Sequence, residues 1–342
     1  MPTALACPDK FRGTLTAAEA ANAMAAGLAA AGFAEVRRLP VADGGEGTLD
    51  ALVAARGGSI RTARVTGPLG EPVEAEWALL PDGTAVVEMA RASGLDLVAG
   101  RNDPLRASTR GTGELIATAA RGGARRIIVG VGGSATTDGG LGAVDALGWS
   151  LGGLRVTIAC DVATRFLDAA TVYAPQKGAT EAQVSLLTRR LRRLAEEYER
   201  RTGVDVTELD GGGAAGGLAG GLAAIGATLE PGFEVVAQAA GLEDALEDVD
   251  LVVTGEGKVD RTSFEGKVVG GVLEWAAEEG IAHRAVIAGQ VTDDAREELS
   301  VLGDVHVLAL TERVWQAGEA FSRAAVLVEE AALEAGRRAL GE

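Results

Sequence analysis

Residues 132–140, GGSATTDGG, follow an apolar β-branched run and precede apolar residues at helical spacing. A buried strand, a glycine loop and a helix in this order aim backbone N–H groups and a helix N-terminus at an anion. Hydroxyls would add donors, and the carboxylate of Asp138 could hold a hydrated Mg²⁺. The loop therefore predicts phosphate binding, with a tight turn that needs glycine for positive φ as the alternative. The predicted phosphate contacts in this loop are Gly132, Gly133, Ser134 and Thr136.

Acidic residues beside glycine follow several predicted strands. They are Asp9, Asp43, Asp138, Asp161 and the segment 256–260. One such pair is a common turn former, but several at the carboxyl ends of strands lie where parallel sheets bind ligands. Carboxylates are poor partners for a naked phosphate, so acids beside anion-binding loops indicate a bridging divalent cation. An acid such as Asp43, in a glycine-flanked turn, could serve as a metal ligand or as the base of a phosphoryl transfer.

Basic side chains accompany the same glycine-rich loops and would supply the positive charge that phosphoryl transfer needs. They are Lys10, Arg12, Lys177, Lys258 and Lys267. The P-loop pattern GxxxxGK[ST] does not occur, and the two histidines are far from any glycine loop. A histidine-based hydrolase or a zinc site is therefore not indicated.

An NAD-dependent dehydrogenase of a small hydroxy acid is the main alternative. Residues 130–135, GVGGSA, fit a dinucleotide fingerprint after a strand, and Asp161 ends the next strand. However, residues 136–140 interrupt the helix that should begin at once. Asp138 would also place a negative charge beside an unmetallated pyrophosphate, which favours a kinase with Mg²⁺ over an NAD site.

Length and composition narrow the class further. A chain of 342 residues is long for one core and suits two domains. Its net charge of −17 argues against nucleic acid and anionic membranes as partners. Two cysteines exclude a disulfide scaffold and indicate a cytoplasmic protein. The uncharged stretch 211–229 is mostly glycine in its first half, which leaves too short an apolar helix to span a bilayer.

The periodicity predicts strands alternating with helices at both ends of the chain, and antiparallel strands within 60–88. Capping boxes predict helix starts after Thr16 and Thr180. A strand at 250–253 should end in a loop from residue 254, and one closing helix should cover 317–340. The expected fold class is α/β, with a Rossmann-like parallel-sheet domain formed by 1–62 and 246–342. An inserted α/β domain would cover 63–245, with the active site in a cleft between the two.

The chain resembles the bacterial glycerate kinases of the first type. The motifs that carry the resemblance are PDKFRGTLTA (8–17), ADGGEGT (42–48), EMARASGL (88–95), GTGELI (111–116), GGSATTDGG (132–140), ACDV (159–162), PQKGAT (175–180), GGGAAGGL (211–218) and TGEGKVDRTSFEGK (254–267). They occur in the family's order over nearly the whole chain. The resemblance implies ATP-dependent, Mg²⁺-dependent phosphorylation of D-glycerate, most often at the 2-hydroxyl, on a two-domain α/β fold.

Site predictions combine these clusters with the resemblance. The predicted catalytic residues are Asp43, Asp161, Lys10 and Arg12. The nucleotide contacts are Gly132, Gly133, Ser134, Thr136, Gly212, Gly213, Lys258 and Lys267. The substrate contacts are Asp9, Glu46, Ser93, Lys177 and Ser263. The metal ligands are Asp138, Glu256 and Asp260.

Three departures from the family pattern are visible. The segments at 150–154 and after Asp161 are shorter than in family members, and Arg12 and Lys258 exchange the usual Lys and Arg. A sugar-acid sensor that lost turnover through the loop after Asp161 is therefore a further alternative. We also expect a small-molecule substrate, D-glycerate, no nucleic-acid or membrane partner, and a homodimer.

Overall fold

The computed structural model describes residues 1–315 and 317–342, and the chain divides into two compact units. Unit 1 contains residues 1–43, 50–56 and 236–342, and unit 2 contains 44–49 and 57–235. Each unit has a sheet with parallel strands and helices packed on it, which confirms the α/β class. The domain limits and the cleft expected from the sequence stay predictions.

The strands of the described chain are β1 (Thr3–Ala6), β2 (Glu35–Arg38), β3 (Ser59–Thr66), β4 (Pro72–Leu79), β5 (Thr84–Glu88), β6 (Arg126–Gly130), β7 (Arg155–Ala159), β8 (Thr228–Glu230), β9 (Leu251–Val259), β10 (His283–Val291) and β11 (Val305–Ala309). The α-helices are α1 (Ala17–Ala31), α2 (Thr48–Arg56), α3 (Ala90–Ser93), α4 (Arg110–Arg121), α5 (Leu141–Ala146), α6 (Ala169–Tyr173), α7 (Glu181–Thr202), α8 (Ala214–Ala224), α9 (Gly232–Ala240), α10 (Leu242–Leu246), α11 (Val268–Glu278), α12 (Asp293–Val301), α13 (Ala317–Ser322) and α14 (Ala324–Leu340).

The sheet of unit 1 is parallel throughout, in the order β11-β10-β9-β1-β2. The chain runs outward from β1 to β2 on one side and from β9 to β11 on the other. The strand order therefore reverses between β1 and β9, and the carboxyl edge at such a switch point is where open α/β sheets bind ligands. Apolar side chains from α1 and α14 cover one face, and those from α11 and α12 cover the other.

Local sequence signals place α1 as predicted. Thr16 and Glu19 form the capping box, and Gly32 ends the helix in the left-handed conformation. The helix then packs closely on α14, because a Cβ at Gly27 would lie only 2.1 Å from the carbonyl oxygen of Glu329. The second predicted capping box, at Thr180 and Gln183, opens α7.

The strand predicted at 250–253 is longer than expected, since β9 runs on through the segment 254–259. Its glycines suggested a loop, but they allow close backbone approach instead. A Cβ at Gly255 would lie 1.7 Å from the carbonyl oxygen of Ile287 on β10, and one at Gly257 would lie 2.9 Å from the backbone nitrogen of Arg12. The extension therefore carries Glu256 and Lys258 on a strand rather than on a flexible loop.

Unit 2 contains a mixed sheet in the order β3-β4-β5-β6-β7-β8. Strands β3, β4 and β5 pair antiparallel, which confirms that prediction, and β5 to β8 pair parallel. One apolar core lies between the sheet and the helices α4, α5 and α8, and a second lies beneath α7 around Phe166 and Tyr198.

The prediction of one closing helix at 317–340 is wrong, because α13 and α14 are separate helices interrupted at Arg323, whose φ and ψ of −117° and 18° are not helical. Within the described ranges, no helix is both long enough and apolar enough to cross a bilayer.

Candidate active site

Three carboxylates gather at the switch point of unit 1. Asp9 follows β1 and donates its N–H to the carbonyl oxygen of Gly255 at 2.9 Å, which holds it against β9. Glu256 is the next residue of β9, and Asp43 follows β2. Both Asp43 and Glu256 act on Asp9 as neighbouring negative charges. This is the acid cluster that the strand-end pattern predicted, and Glu256 joins it from within a strand.

The carboxyl group of Asp9 has a raised pKa. Its residue is only 7% exposed, and burial, with repulsion from Asp43 and Glu256, raises its pKa from 3.8 to about 7. Lys10 opposes the rise, since its backbone N–H donates to Asp9 Oδ1 at 2.6 Å and its Nζ lies 3.7 Å from the same atom. A carboxyl group with a pKa near neutrality is suited to proton transfer at physiological pH.

The segment after β9 supports Glu256. Burial raises the pKa of Glu256, while a hydrogen bond from the buried hydroxyl of Ser263 and the charge of Lys267 oppose the rise. Ser263 Oγ also accepts the N–H of Asp260 at 3.1 Å. The predicted substrate contact Ser263 is thus a buried partner of an acid, and the predicted nucleotide contact Lys267 donates to Thr262 at 2.9 Å.

The carboxylate of Asp260 is already engaged. Its Oδ1 accepts the N–H and the hydroxyl of Thr262 at 3.0 and 2.8 Å, and its Oδ2 lies 3.4 Å from Nζ of Lys258. These contacts lower the pKa of Asp260. They argue against its predicted role as a metal ligand, because the side chain acts as a helix cap. Lys258 and Arg12 are exposed, so their predicted contacts with ligands stay predictions.

In unit 2 the predicted phosphate loop leaves the end of β6 with two glycines at the surface. In the described part of the chain the N–H groups of Gly132 and Gly133 donate no hydrogen bond. Gly133 has a φ of +70°, which favours glycine, and its carbonyl oxygen accepts the N–H of Leu95 at 2.8 Å. A Cβ at Gly132 would lie 2.9 Å from Cα of Gly45, so the segment 44–49 packs closely on this loop. The loop therefore presents unpaired N–H donors, as an anion site requires.

The hydroxyls of that loop are predicted to contact a nucleotide, but they lie inside unit 2. Ser134 is 9% exposed and Thr136 is fully buried, and their oxygens lie 3.1 Å apart. Both also lie within 3.5 Å of the carbonyl oxygen of Ala215. Direct contact of these hydroxyls with a nucleotide is therefore not supported, because their hydrogen-bonding capacity is used inside the unit.

Asp138 is likewise a structural acid. Its Oδ2 accepts the N–H and hydroxyl of Thr109 at 2.8 and 2.9 Å and the N–H of Gly142 at 3.3 Å, while Oδ1 accepts the N–H of Gly140 at 3.1 Å. Burial raises its pKa, and these four hydrogen bonds oppose the rise. Four donors leave little capacity for a cation, so the predicted metal role of Asp138 is not supported.

The predicted substrate contact Lys177 is buried beneath the same loop. The residue is 4% exposed, and its Nζ lies 2.5 Å from the carbonyl oxygen of Thr136 and 3.4 Å from Ser134 Oγ. Burial lowers its pKa to about 8, while the negative charge of Asp138 opposes the fall. Direct contact between Lys177 and a substrate is therefore not supported.

The second glycine-rich stretch is internal to unit 2. Gly212 and Gly213 are buried, and their N–H groups donate to the carbonyl oxygens of Leu209 and Thr164 at 3.1 and 2.9 Å. Gly216, with a φ of +69°, packs against the first loop, since a Cβ there would lie 2.0 Å from the carbonyl oxygen of Thr136. The prediction that Gly212 and Gly213 bind the nucleotide is therefore not supported.

The remaining predicted site residues of unit 2 differ in whether their side chains could contact a ligand. Ser93 is fully buried and accepts the hydroxyl of Thr112 at 2.9 Å, so a substrate contact is not supported. Asp161 Oδ1 accepts the N–H of Gly232 at 2.8 Å. Glu46 is exposed on the segment packed at Gly132. The roles predicted for Asp161 and Glu46 stay predictions.

Sequence reasoning missed Glu88, a buried carboxylate at the end of β5. Its Oε1 accepts the N–H of Leu49 at 2.9 Å, and its Oε2 accepts Nε of Arg91 at 2.9 Å. Glu88 therefore fixes the segment 44–49, which packs on the phosphate loop. The signal in the sequence was an acid ending an otherwise apolar strand, before a helix that carries an arginine at i+3.

No group of three or more His, Cys, Asp or Glu side chains within 1–315 and 317–342 is arranged to hold a metal ion. Mg²⁺ at phosphoryl-transfer sites is bound by one or two carboxylates together with substrate phosphates and waters. The acids of unit 1 are enough for such a site, in which the phosphates and waters supply most of the ligands.

Comparisons with known proteins agree with this chemistry. The model of the "Glycerate kinase family" matches residues 4–153 and 149–340. A protein named glycerate 2-kinase from Escherichia coli K12 is 43% identical over 84% of this chain and 85% of its own length. A glycerate kinase from Halalkalibacterium halodurans is 38% identical over 97% of both chains. The crystal structure of a protein named as glycerate kinase 2 from Salmonella typhimurium LT2 superposes with a TM-score of 0.87 and 36% identity, covering 99% of this chain and 98% of that one.

Proposed function

This chain belongs to the glycerate kinase family, and from that membership we infer that it transfers the γ-phosphoryl group of ATP to D-glycerate. The names of its relatives favour this reaction over the dehydrogenase and sensor alternatives. We assign the transfer to the 2-hydroxyl, because a relative 43% identical is named a 2-kinase. We also assign the enzyme to the cytoplasm; Cys7 and Cys160 are free thiols.

The carboxyl group of Asp9 carries the proposal. Phosphoryl transfer asks the protein mainly for positioning and charge stabilisation, together with a group that accepts the proton of the attacking hydroxyl. Asp9 lies at the switch-point edge of a parallel sheet, with a pKa of about 7. A carboxylate with such a raised pKa is a stronger base than an ordinary aspartate and still has an ionised population at neutral pH. Lys10, 3.7 Å away, is placed to keep its charge in position.

The unpaired N–H groups of Gly132 and Gly133 are our proposed contacts for the nucleotide phosphates. Mg²⁺ would neutralise phosphate charge and would be held largely by those phosphates, with Glu256 as a candidate protein ligand that stays a prediction. Mg²⁺ would also reduce the repulsion between an anionic nucleotide and a chain whose net charge is −17.

The test is turnover of ATP with D-glycerate in the presence of Mg²⁺, followed through ADP release, with phosphorus NMR of the product. We expect 2-phosphoglycerate, and no ADP release when glycerate or Mg²⁺ is left out. A folded protein that releases no ADP with glycerate would contradict the proposed function, and 3-phosphoglycerate as product would contradict the assigned hydroxyl.

A further inference from the structure

Two buried side chains hold the inward side of the phosphate loop. Lys177 Nζ donates to the carbonyl oxygen of Thr136 at 2.5 Å and to Ser134 Oγ at 3.4 Å. Asn102 Nδ2 donates to the carbonyl oxygens of Ala135 and Lys177 at 3.1 and 2.9 Å. The two side chains thus contact consecutive loop carbonyls and are tied to each other through the backbone of Lys177.

The planarity of the peptide bond makes these contacts directional. A C=O and the following N–H point in opposite directions, so a carbonyl held inward turns its peptide plane with it. Ser134 couples this fixed part to the loop tip, since its hydroxyl accepts Lys177 Nζ as well as the N–H of Thr136 at 3.1 Å. The adjoining Gly133 can adopt many backbone conformations by itself, and its observed φ of +70° needs such an anchor.

We propose that Lys177 is a positioning residue, whose buried ammonium group holds the loop 134–136 and thereby directs the N–H groups of Gly132 and Gly133 toward the nucleotide phosphates. This inference rests on the proposed nucleotide contacts of those two glycines. It gives Lys177 a role beneath the loop in place of the substrate contact expected from the sequence. Because the pKa of Lys177 is about 8, the ammonium form predominates at pH 7.

A stability role alone does not account for a buried lysine well. Burying an ammonium group is costly, and replacing buried charges by apolar side chains of similar volume is often neutral or stabilising. The charged hydrogen bond to the Thr136 carbonyl oxygen offsets part of this desolvation cost, and it also fixes one geometry of the loop. The expected signature is therefore a change in nucleotide use without a matching loss of stability.

The experiment compares Lys177→Met with wild type in steady-state kinetics and thermal unfolding. We expect the KM for ATP to rise about 10-fold or more, as loss of a charged hydrogen bond would give, with the KM for glycerate within about twofold. Lys177→Gln, whose amide can still donate to the Thr136 carbonyl, should recover part of the loss. Arg193→Met removes an exposed cation from α7 and is the matched control, with both KM values unchanged.

An unchanged KM for ATP in a folded Lys177→Met protein would overturn the proposal, as would equal rises in both KM values with a lower melting temperature. If the methionine variant fails to fold, Asn102→Leu decides in the same way, because it removes the donor to the neighbouring Ala135 carbonyl. Wild-type turnover measured alongside separates this result from a failure of the proposed function, which would show as no ADP release in wild type.

Discussion

Replacing Asp9 by asparagine should remove turnover and at the same time stabilise the protein at pH 8. The change keeps the shape of the side chain and removes its charge. If Asp9 is the base, kcat should fall by about 10²–10⁴, the usual contribution of a general base. The stability effect follows from burial, because the folded protein holds an ionised Asp9 that is 7% exposed and flanked by other acids.

The sign and size come from the pKa of Asp9, which folding raises from 3.8 to about 7. Between these two values the folded state binds more protons than the unfolded state, so the free energy of unfolding decreases as pH rises through this window. The difference corresponds to a cost of about 4 kcal/mol above pH 7, which is lost again as pH falls toward 4. Asparagine carries no such cost, so the stabilisation by Asp9→Asn should be large at pH 8 and small at pH 4.

The assays are urea unfolding at pH 4, 6 and 8 and the pH dependence of kcat/KM. In wild type, kcat/KM should fall about 10-fold per pH unit well below pH 7, because the ionised form of Asp9 is then depleted. Asp244→Asn, an exposed change in the same unit, is the control and should alter neither quantity. An Asp9→Asn protein with turnover within a few-fold of wild type would refute the assignment of the base. Equal stability at pH 8 would refute the electrostatic reasoning.

Three further outcomes are expected. Asp43→Asn should move the acidic limb of kcat/KM to lower pH, because it removes a negative charge that raises the pKa of Asp9; an unmoved limb would show that another group titrates. Gly133→Ala should raise the KM for ATP. The control is Gly148→Ala, because Gly148 has a similar φ of +66° and open space around it, so this change should only lower the free energy of unfolding by about 1–2 kcal/mol through backbone strain. Equal KM values for ATP in the two variants would contradict the loop assignment. Asp138→Asn should lower the free energy of unfolding by about 1–3 kcal/mol, since an amide cannot accept from all four donors, and metal-dependent rescue of this variant would contradict its structural role.

The periodicity of the sequence was enough to predict most elements of the fold. Capping boxes and β-branched runs are local signals, so α1, α7 and β6 lie where they were expected. The glycines of the segment 254–259 resemble a turn when taken alone, so the local sequence predicts a loop where β9 continues. Only the neighbouring strand β10, which pairs with residues up to Val259, makes the extended conformation favourable.

The candidate site was predictable as a set of clusters but less so in its roles. The acids after β1 and β2 meet as expected, because carboxyl ends of parallel strands share one edge. Asp138, Ser134 and Lys177 are residue types that often bind ligands. In this fold, however, each makes hydrogen bonds to residues distant in the chain. Burial and hydrogen-bond saturation of that kind arise from tertiary packing, which no local pattern encodes.

The order of strands in unit 1 also bears on how the chain folds during synthesis. Strands β1 and β9 are neighbours in the sheet but are separated by the whole of residues 7–250. When the ribosome has made α1, the helix that covers it, α14, does not yet exist. Most of unit 2 is one continuous stretch, residues 57–235, so its hydrophobic core can form earlier. The apolar face of α1 therefore stays uncovered until α14, the last helix, has been synthesised. Non-local topologies of this kind fold slowly, and the exposed apolar surface is what chaperones protect.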